Sequence, residues 1–218
     1  MKKLLLTAAA VVLFTTVNAQ TKFGVKAGYS LSKLNSDEDL DTFDGVDGSL
    51  KSKSGFYIGA LVEHKFTNTF ALQGEVQYAN LGGRAEVGIS GITVVENFNL
   101  NRIVIPVAAK YYVTPELGIY AGPFVSFKTN TKVNVKVKGA QSDPQALNAA
   151  ENFLENAFDD SLKSSEFGLF FGAEYNAYKG IFFDARYSFG LSNMIKDPVY
   201  DEKMKMNFLQ IGVGYKFK

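Results

Sequence analysis

Residues 166–191 read EFGLFFGAEYNAYKGIFFDARYSFGL, and a period of two divides them into two faces. Phe167, Leu169, Phe171, Ala173 and Tyr175 share one face, which resumes after Tyr178-Lys179-Gly180 as Ile181, Phe183, Ala185, Tyr187, Phe189 and Leu191. The other face carries Glu166, Gly168, Phe170, Gly172, Glu174 and Asn176, then Phe182, Asp184, Arg186, Ser188 and Gly190. Two alternating strands around a tight glycine turn make a β-hairpin. Working outward, the same alternation predicts strands at 22–34, 54–66, 70–82, 101–113, 117–128, 165–177, 181–191 and 206–217.

The gaps between these segments alternate in length. Thr67-Asn68-Thr69, Thr114-Pro115-Glu116 and Tyr178-Lys179-Gly180 are tight turns, whereas 35–53, 83–100, 129–164 and 192–205 are long. A soluble sandwich has no reason to sort its connections this way, but a transmembrane barrel with short periplasmic turns and long external loops does. The expected fold is therefore all-β, an eight-stranded antiparallel up-and-down transmembrane β-barrel. At about 3.3 Å per residue and a tilt of about 40°, such strands cross the lipid-facing band of about 25 Å. Pro106 and Pro123 fall inside strand-like runs, and bulges are expected there because proline lacks a ladder donor.

Residues 1–19 form a separate object, with basic Lys2-Lys3, an apolar run from Leu4 to Val17, and a cleavage pattern at Ala19/Gln20. This predicts a secretory signal peptide and a single barrel domain over 20–218. With no cysteine, neither a lipidated N-terminus nor a disulfide framework is available. Taking Lys2 and Lys3 from the 23 basic residues leaves them nearly balanced against 22 acidic ones, which gives no reason to expect nucleic acid as a partner. Nowhere in 20–218 does an apolar run approach the length of a transmembrane helix.

Alternation alone does not say which face looks inward. The polar face mixes many glycines with Tyr120, Phe124, Phe170 and Phe182, and a narrow barrel interior needs small residues beside large ones. Its charges are of both signs, so they can pair across the lumen. Polar-inward is therefore expected, with Lys110, Glu174, Asp184 and Arg186 as a structural interior charge network. The alternative is a soluble, secreted or periplasmic, lipocalin-like barrel with its apolar face around an apolar ligand.

Phe23-Gly24-Val25-Lys26-Ala27-Gly28, Ile105-Pro106-Val107-Ala108-Ala109-Lys110-Tyr111, Ala121-Gly122-Pro123, Asp184-Ala185-Arg186-Tyr187-Ser188-Phe189-Gly190-Leu191 and Gly212-Val213-Gly214-Tyr215-Lys216-Phe217 resemble the PorT-like outer-membrane β-barrel family, in order and spacing. That resemblance implies a small barrel of the OmpA/OmpX type and an outer-membrane location, and it implies little about activity. It also raises a third reading, a secretion accessory. The last strand resembles an insertion signal for the barrel-assembly machinery, with Val213, Tyr215 and Phe217 alternating, although Lys218 follows the final aromatic.

No catalytic, metal or cofactor site is expected. His64 is the single histidine, and it falls near a periplasmic turn with lipid-facing parity and no partner. The acidic first loop (Asp37, Glu38, Asp39, Asp41, Asp44, Asp47) fails as a calcium loop, with Thr42 where glycine is required and Gly48 where glutamate is. The fifth strand is expected to continue above the membrane, Val133, Val135 and Val137 keeping the outward parity and Lys132, Lys136 and Lys138 opposing them; Val87 to Val95 supply a matching extension. Asp143-Pro144 starts a short helix in the largest loop, with Leu147, Ala150, Leu154, Ala157 and Phe158 at helical spacing. Lys132, Lys136, Lys138, Leu154 and Phe158 are the candidate external interaction residues, and membrane lipid and lipopolysaccharide are the partners expected. The role expected is structural, adhesive or loop-displaying, without general diffusion or enzymatic activity.

Overall fold

A computed structural model describes residues 20–36, 47–89, 92–139, 143–198 and 203–217. The expected signal peptide and the acidic residues 37–44 lie outside the described residues. The strands are β1 (Thr21–Ser36), β2 (Asp47–Lys51), β3 (Lys53–Lys65), β4 (Phe70–Ile89), β5 (Ile92–Tyr112), β6 (Leu117–Lys138), β7 (Ser165–Tyr178), β8 (Ile181–Gly190) and β9 (Met204–Lys216), with one helix, α1 (Pro144–Ser161), between β6 and β7. Each neighbouring pair is antiparallel, and β1 pairs with both β3 and β9, which closes eight strands into a ring. The additional β2 lies on β4 above β3.

The tight turns are built from their sequences. Thr67 Oγ1 accepts from the amides of Thr69 (3.2 Å) and Phe70 (2.9 Å), and Thr114 Oγ1 accepts from those of Glu116 (3.3 Å) and Leu117 (3.1 Å). The third turn has only two residues, Lys179 and Gly180, with φ of 49° and 94°. Positive φ at both central positions matches the twist of a hairpin and explains the glycine.

The polar face points inward. Phe167, Leu169, Phe171, Ile181 and Phe183 are exposed on the outer wall, as are Val25, Ile211 and Val213, while Glu174, Asp184 and Arg186 are buried. The lipocalin-like alternative is thereby overturned, because it requires the apolar face inside. On the inner face, glycine and aromatic residues are register partners on neighbouring strands at Gly28↔Tyr57, Tyr120↔Gly172, Phe124↔Gly168 and Phe182↔Gly214. A Cβ at Gly172 would stand 2.6 Å from the Tyr120 hydroxyl, and one at Gly214 would stand 2.2 Å from the Phe182 ring. Each glycine supplies the space that its partner's ring fills.

Two expectations need correction. The stretch 83–100, expected as a long connection, belongs mostly to β4 and β5, which continue as one long hairpin paired out to Ile89↔Ile92; the extension expected over Val87 to Val95 forms within it. The prolines make no bulge. Pairing is interrupted between Gly74↔Val107 and Gln77↔Val104, beside Pro106, and between Pro106↔Phe124 and Ala109↔Ala121, beside Pro123; in both places the register resumes unchanged. Proline removes a donor without inserting a residue. The β5–β6 register shift lies instead at Asn101/Arg102, where Asn101 faces Asn130 and Arg102 faces Lys128, leaving Thr129 extra.

Candidate functional site: the charged interior and the covered mouth

Among the described residues five buried carboxylates pair with five buried cations inside the barrel, in three layers. In the periplasmic layer Lys110 Nζ lies 2.8 Å from both Glu63 and Glu174, and Lys216 Nζ lies 2.7 Å from Glu63 and 2.5 Å from Glu174. Tyr112 donates to Glu63 at 2.7 Å. In the middle layer Arg186 grips Glu75 with both terminal nitrogens, at 2.5 and 3.2 Å, and Lys26 bridges Glu75 and Asp184 at 3.1 Å each. Tyr57 donates to Asp184 at 3.1 Å, and Tyr120 also donates to it. Gln73 joins the layers by accepting from Lys110 and donating to Glu75.

The outermost layer differs. Arg102 Nε stands 3.5 Å from Glu166, Ser126 donates to that carboxylate at 2.9 Å, and none of the three guanidinium nitrogens of Arg102 makes a hydrogen bond among the described residues.

Lys110, Glu174, Asp184 and Arg186 thus all point into one interior, but they do not pair among themselves as a set. Only Lys110 and Glu174 are in contact, while Arg186 binds Glu75 and Asp184 binds Lys26. The remaining members share the inward parity visible in the sequence. Which cation meets which anion is decided across the lumen.

Above the charges lies an apolar stopper. Leu34, Leu81, Leu100, Leu162, Met206 and Phe208 are buried together, with Phe158 packed against them. The shift at Thr129 exchanges the faces of β6. Below it Phe124 and Ser126 are buried, while above it Thr131 and Val133 are. Val133, Val135 and Val137, expected on the outward face, therefore turn to the other side, and Lys132, Lys136 and Lys138 are exposed.

Helix α1 begins as its sequence requires, with the Asp143 side chain accepting from the Gln145 amide at 2.9 Å and Pro144 in the first turn. It follows the edge of β6 beyond the reach of β7. Glu151 accepts from the Val135 amide at 2.7 Å, and Asp159 accepts from Thr131 at 2.5 Å and pairs with Lys128 at 2.8 Å. Burial opposes ionisation of Asp159, but Lys128 and Thr131 outweigh it and hold the carboxyl below its usual range. Phe158 stacks on Phe98 with centroids 4.6 Å apart, so this candidate for external contact belongs to the stopper. Leu154 is half-buried, and the neighbouring Phe153 is the exposed aromatic, at 72%.

His64 is half-buried at the periplasmic end, bonded through Nδ1 to the Thr21 hydroxyl at 2.7 Å. Among the described residues no group of His, Cys, Asp and Glu could hold a metal ion, and no helix is long and apolar enough to cross a membrane.

A closed eight-stranded ring, apolar outside and ion-paired inside, defines an integral membrane β-barrel. Residues 18–196 match the family model for the outer membrane protein beta-barrel domain, and the chain belongs to that family. Its location is the outer membrane. No curated protein is a match. Among solved structures it is similar to Neisserial surface protein A, at 19% identity over 89% of this chain and 97% of that one, with a TM-score of 0.49. It is also similar to Ail, the attachment invasion locus protein of Yersinia pestis, solved with the heparin analogue sucrose octasulfate, at 15% identity over 91% and 99% of the two chains and a TM-score of 0.46. The outer membrane protein OprG from Pseudomonas aeruginosa is 15% identical over 90% and 95%, with a TM-score of 0.42.

Proposed function

We propose that this barrel is an anchor whose business lies outside the membrane: it displays the β2–β4–β5–β6 sheet and α1 for contact with surface glycolipid or an external partner, and it neither conducts solutes nor catalyses a reaction. The observation that carries this reading is the filled lumen, whose charges are paired at bonding distance beneath an apolar stopper. Eight strands leave an interior just wide enough for side chains. Exposed Lys132, Lys136 and Lys138 suit anionic lipopolysaccharide, and the outward Val213, Tyr215 and Phe217 of the last strand suit recognition by the insertion machinery.

The test is paired. Purified protein in liposomes should admit small sugars no faster than protein-free liposomes, and a variant with residues 130–164 replaced by a short turn should still insert while losing surface attachment. Sugar influx proportional to protein content would sink the anchor reading. A secretion defect on deletion, with attachment intact, would favour the PorT-like accessory role.

A further inference from the structure

The register of the extended strands sets Arg84, Asn97 and Asn134 side by side on one face, with Asn99 and Lys136 two residues away along β5 and β6. These five side chains form one wall of an open cleft of about 530 Å³, bordered also by Ser52 to Ser54 at the β2–β3 junction and by Glu151 of α1. That volume falls within the range of small-ligand sites, about 300–1,000 Å³. The lining is unlike an ordinary ligand pocket, since Val135 is its one aliphatic side chain and it has no aromatic.

The chemistry of the wall is specific. Three cations, Lys53, Arg84 and Lys136, face a single carboxylate, Glu151. Among the described residues Lys53 bonds to Asn80 and the Ser54 carbonyl, and Lys136 has no ion pair. Arg84 gives one nitrogen to Glu86, while its Nε is buried without a partner among the described residues. The Asn97 amide makes no side-chain hydrogen bond among the described residues, although Asn99 bonds Asn134 at 3.0 Å on the same face. Side-chain amides both donate and accept, as sugar hydroxyls do, and the surplus cations call for a negative substituent.

We infer that this cleft is a binding site for an anionic saccharide, a sugar bearing phosphate or carboxylate, with Arg84 and Lys136 on the charge and Asn97 and Asn134 on the hydroxyls. The inference deepens the display reading and rests on it. The ligand reaches the site either as a headgroup sugar of glycolipid in the same membrane or as a soluble glycan.

The experiment is calorimetric titration of the detergent-extracted full-length barrel with trehalose 6-phosphate, with trehalose and inorganic phosphate as controls. Trehalose 6-phosphate should bind at least tenfold tighter than either control. Arg84→Gln and Lys136→Gln should each weaken it about tenfold, and Asn97→Ala several-fold, while Lys196→Gln, at an exposed lysine outside the cleft, should leave it unchanged. Heat-dependent gel mobility confirms that every variant is a closed barrel. Deacylated lipopolysaccharide from the expressing cells, titrated in parallel, separates the sources: tighter binding than trehalose 6-phosphate identifies the headgroup, and weaker binding identifies a soluble glycan. Equal affinity for phosphate alone, no binding, or indifference to all three cleft variants would overturn the site. Those failures would leave the liposome result, and hence the anchor, untouched.

Discussion

Below Thr129 the protein is built inside out, and above it the protein is built like a water-soluble domain. In the membrane the buried face is charged and hydrogen-bonded while the exposed face is Phe, Val, Ile and Leu. Above the shift Val133 is buried, Phe98 stacks on the helix, and lysines and asparagines face outward. One strand serves both solvents because a single inserted residue reverses every side chain after it. Reading the alternation therefore requires knowing the medium as well as the period.

The strongest blow to the lower region is Arg186→Leu. It leaves Glu75 with Lys26 as its remaining cation, beside the side-chain amides of Gln73 and Gln77, and should cost about 3 kcal/mol, the low end of the range for breaking a buried pair. A fall in the urea midpoint of the barrel in detergent would register it, and an unchanged midpoint would show the interior to be wetter than its packing. Deleting Thr129 attacks the boundary itself. The barrel should remain heat-modifiable, while α1 and the β6 extension become open to protease, because the lysines of β6 would then face the helix. Resistance equal to wild type would mean that the shift can migrate along the strand.

Val133→Ala and Lys132→Ala sharpen the contrast one residue apart. The first should lower the opening free energy of the outer region by about 1–2 kcal/mol, less than the full burial of a valine side chain, and the second by nothing measurable. Hydrogen exchange at β6 amides separates them, and an inverted order would restore uninterrupted alternation. A small effect is also expected of Asp159→Asn, below about 1 kcal/mol because that carboxylate is partly exposed. Its sign follows from its lowered pKa: the ion pair stabilises α1 fully above the usual aspartate range, and that contribution disappears as pH falls through the depressed value. Wild-type α1 should therefore loosen in acid, and the Asn variant should show no such transition.

The eight strands and the helix were legible because period two, period 3.6 and turn chemistry are local. The inward parity of Lys26, Glu63, Glu75 and Lys216 was legible for the same reason. Their pairing was not, since Arg186 and Glu75 lie 111 residues apart and meet only through closure of the ring. The reversal of Val133 was not legible either, because nothing in TNTKV, residues 129–133, announces an extra residue. The five residues of β2 carry too little alternation to separate a strand from a loop.

The ring closes where β1 meets β9, a pairing of residues from nearly opposite ends of the chain. Each of the two inner charge layers draws a cation from that seam, Lys26 from β1 and Lys216 from β9. A barrel open at the seam would hold Glu63, Glu75, Glu174 and Asp184 without their full complement of positive charge, in a medium that penalises each deficit. Assembly is therefore concerted: the last hydrogen-bonded seam and charge neutrality arrive together.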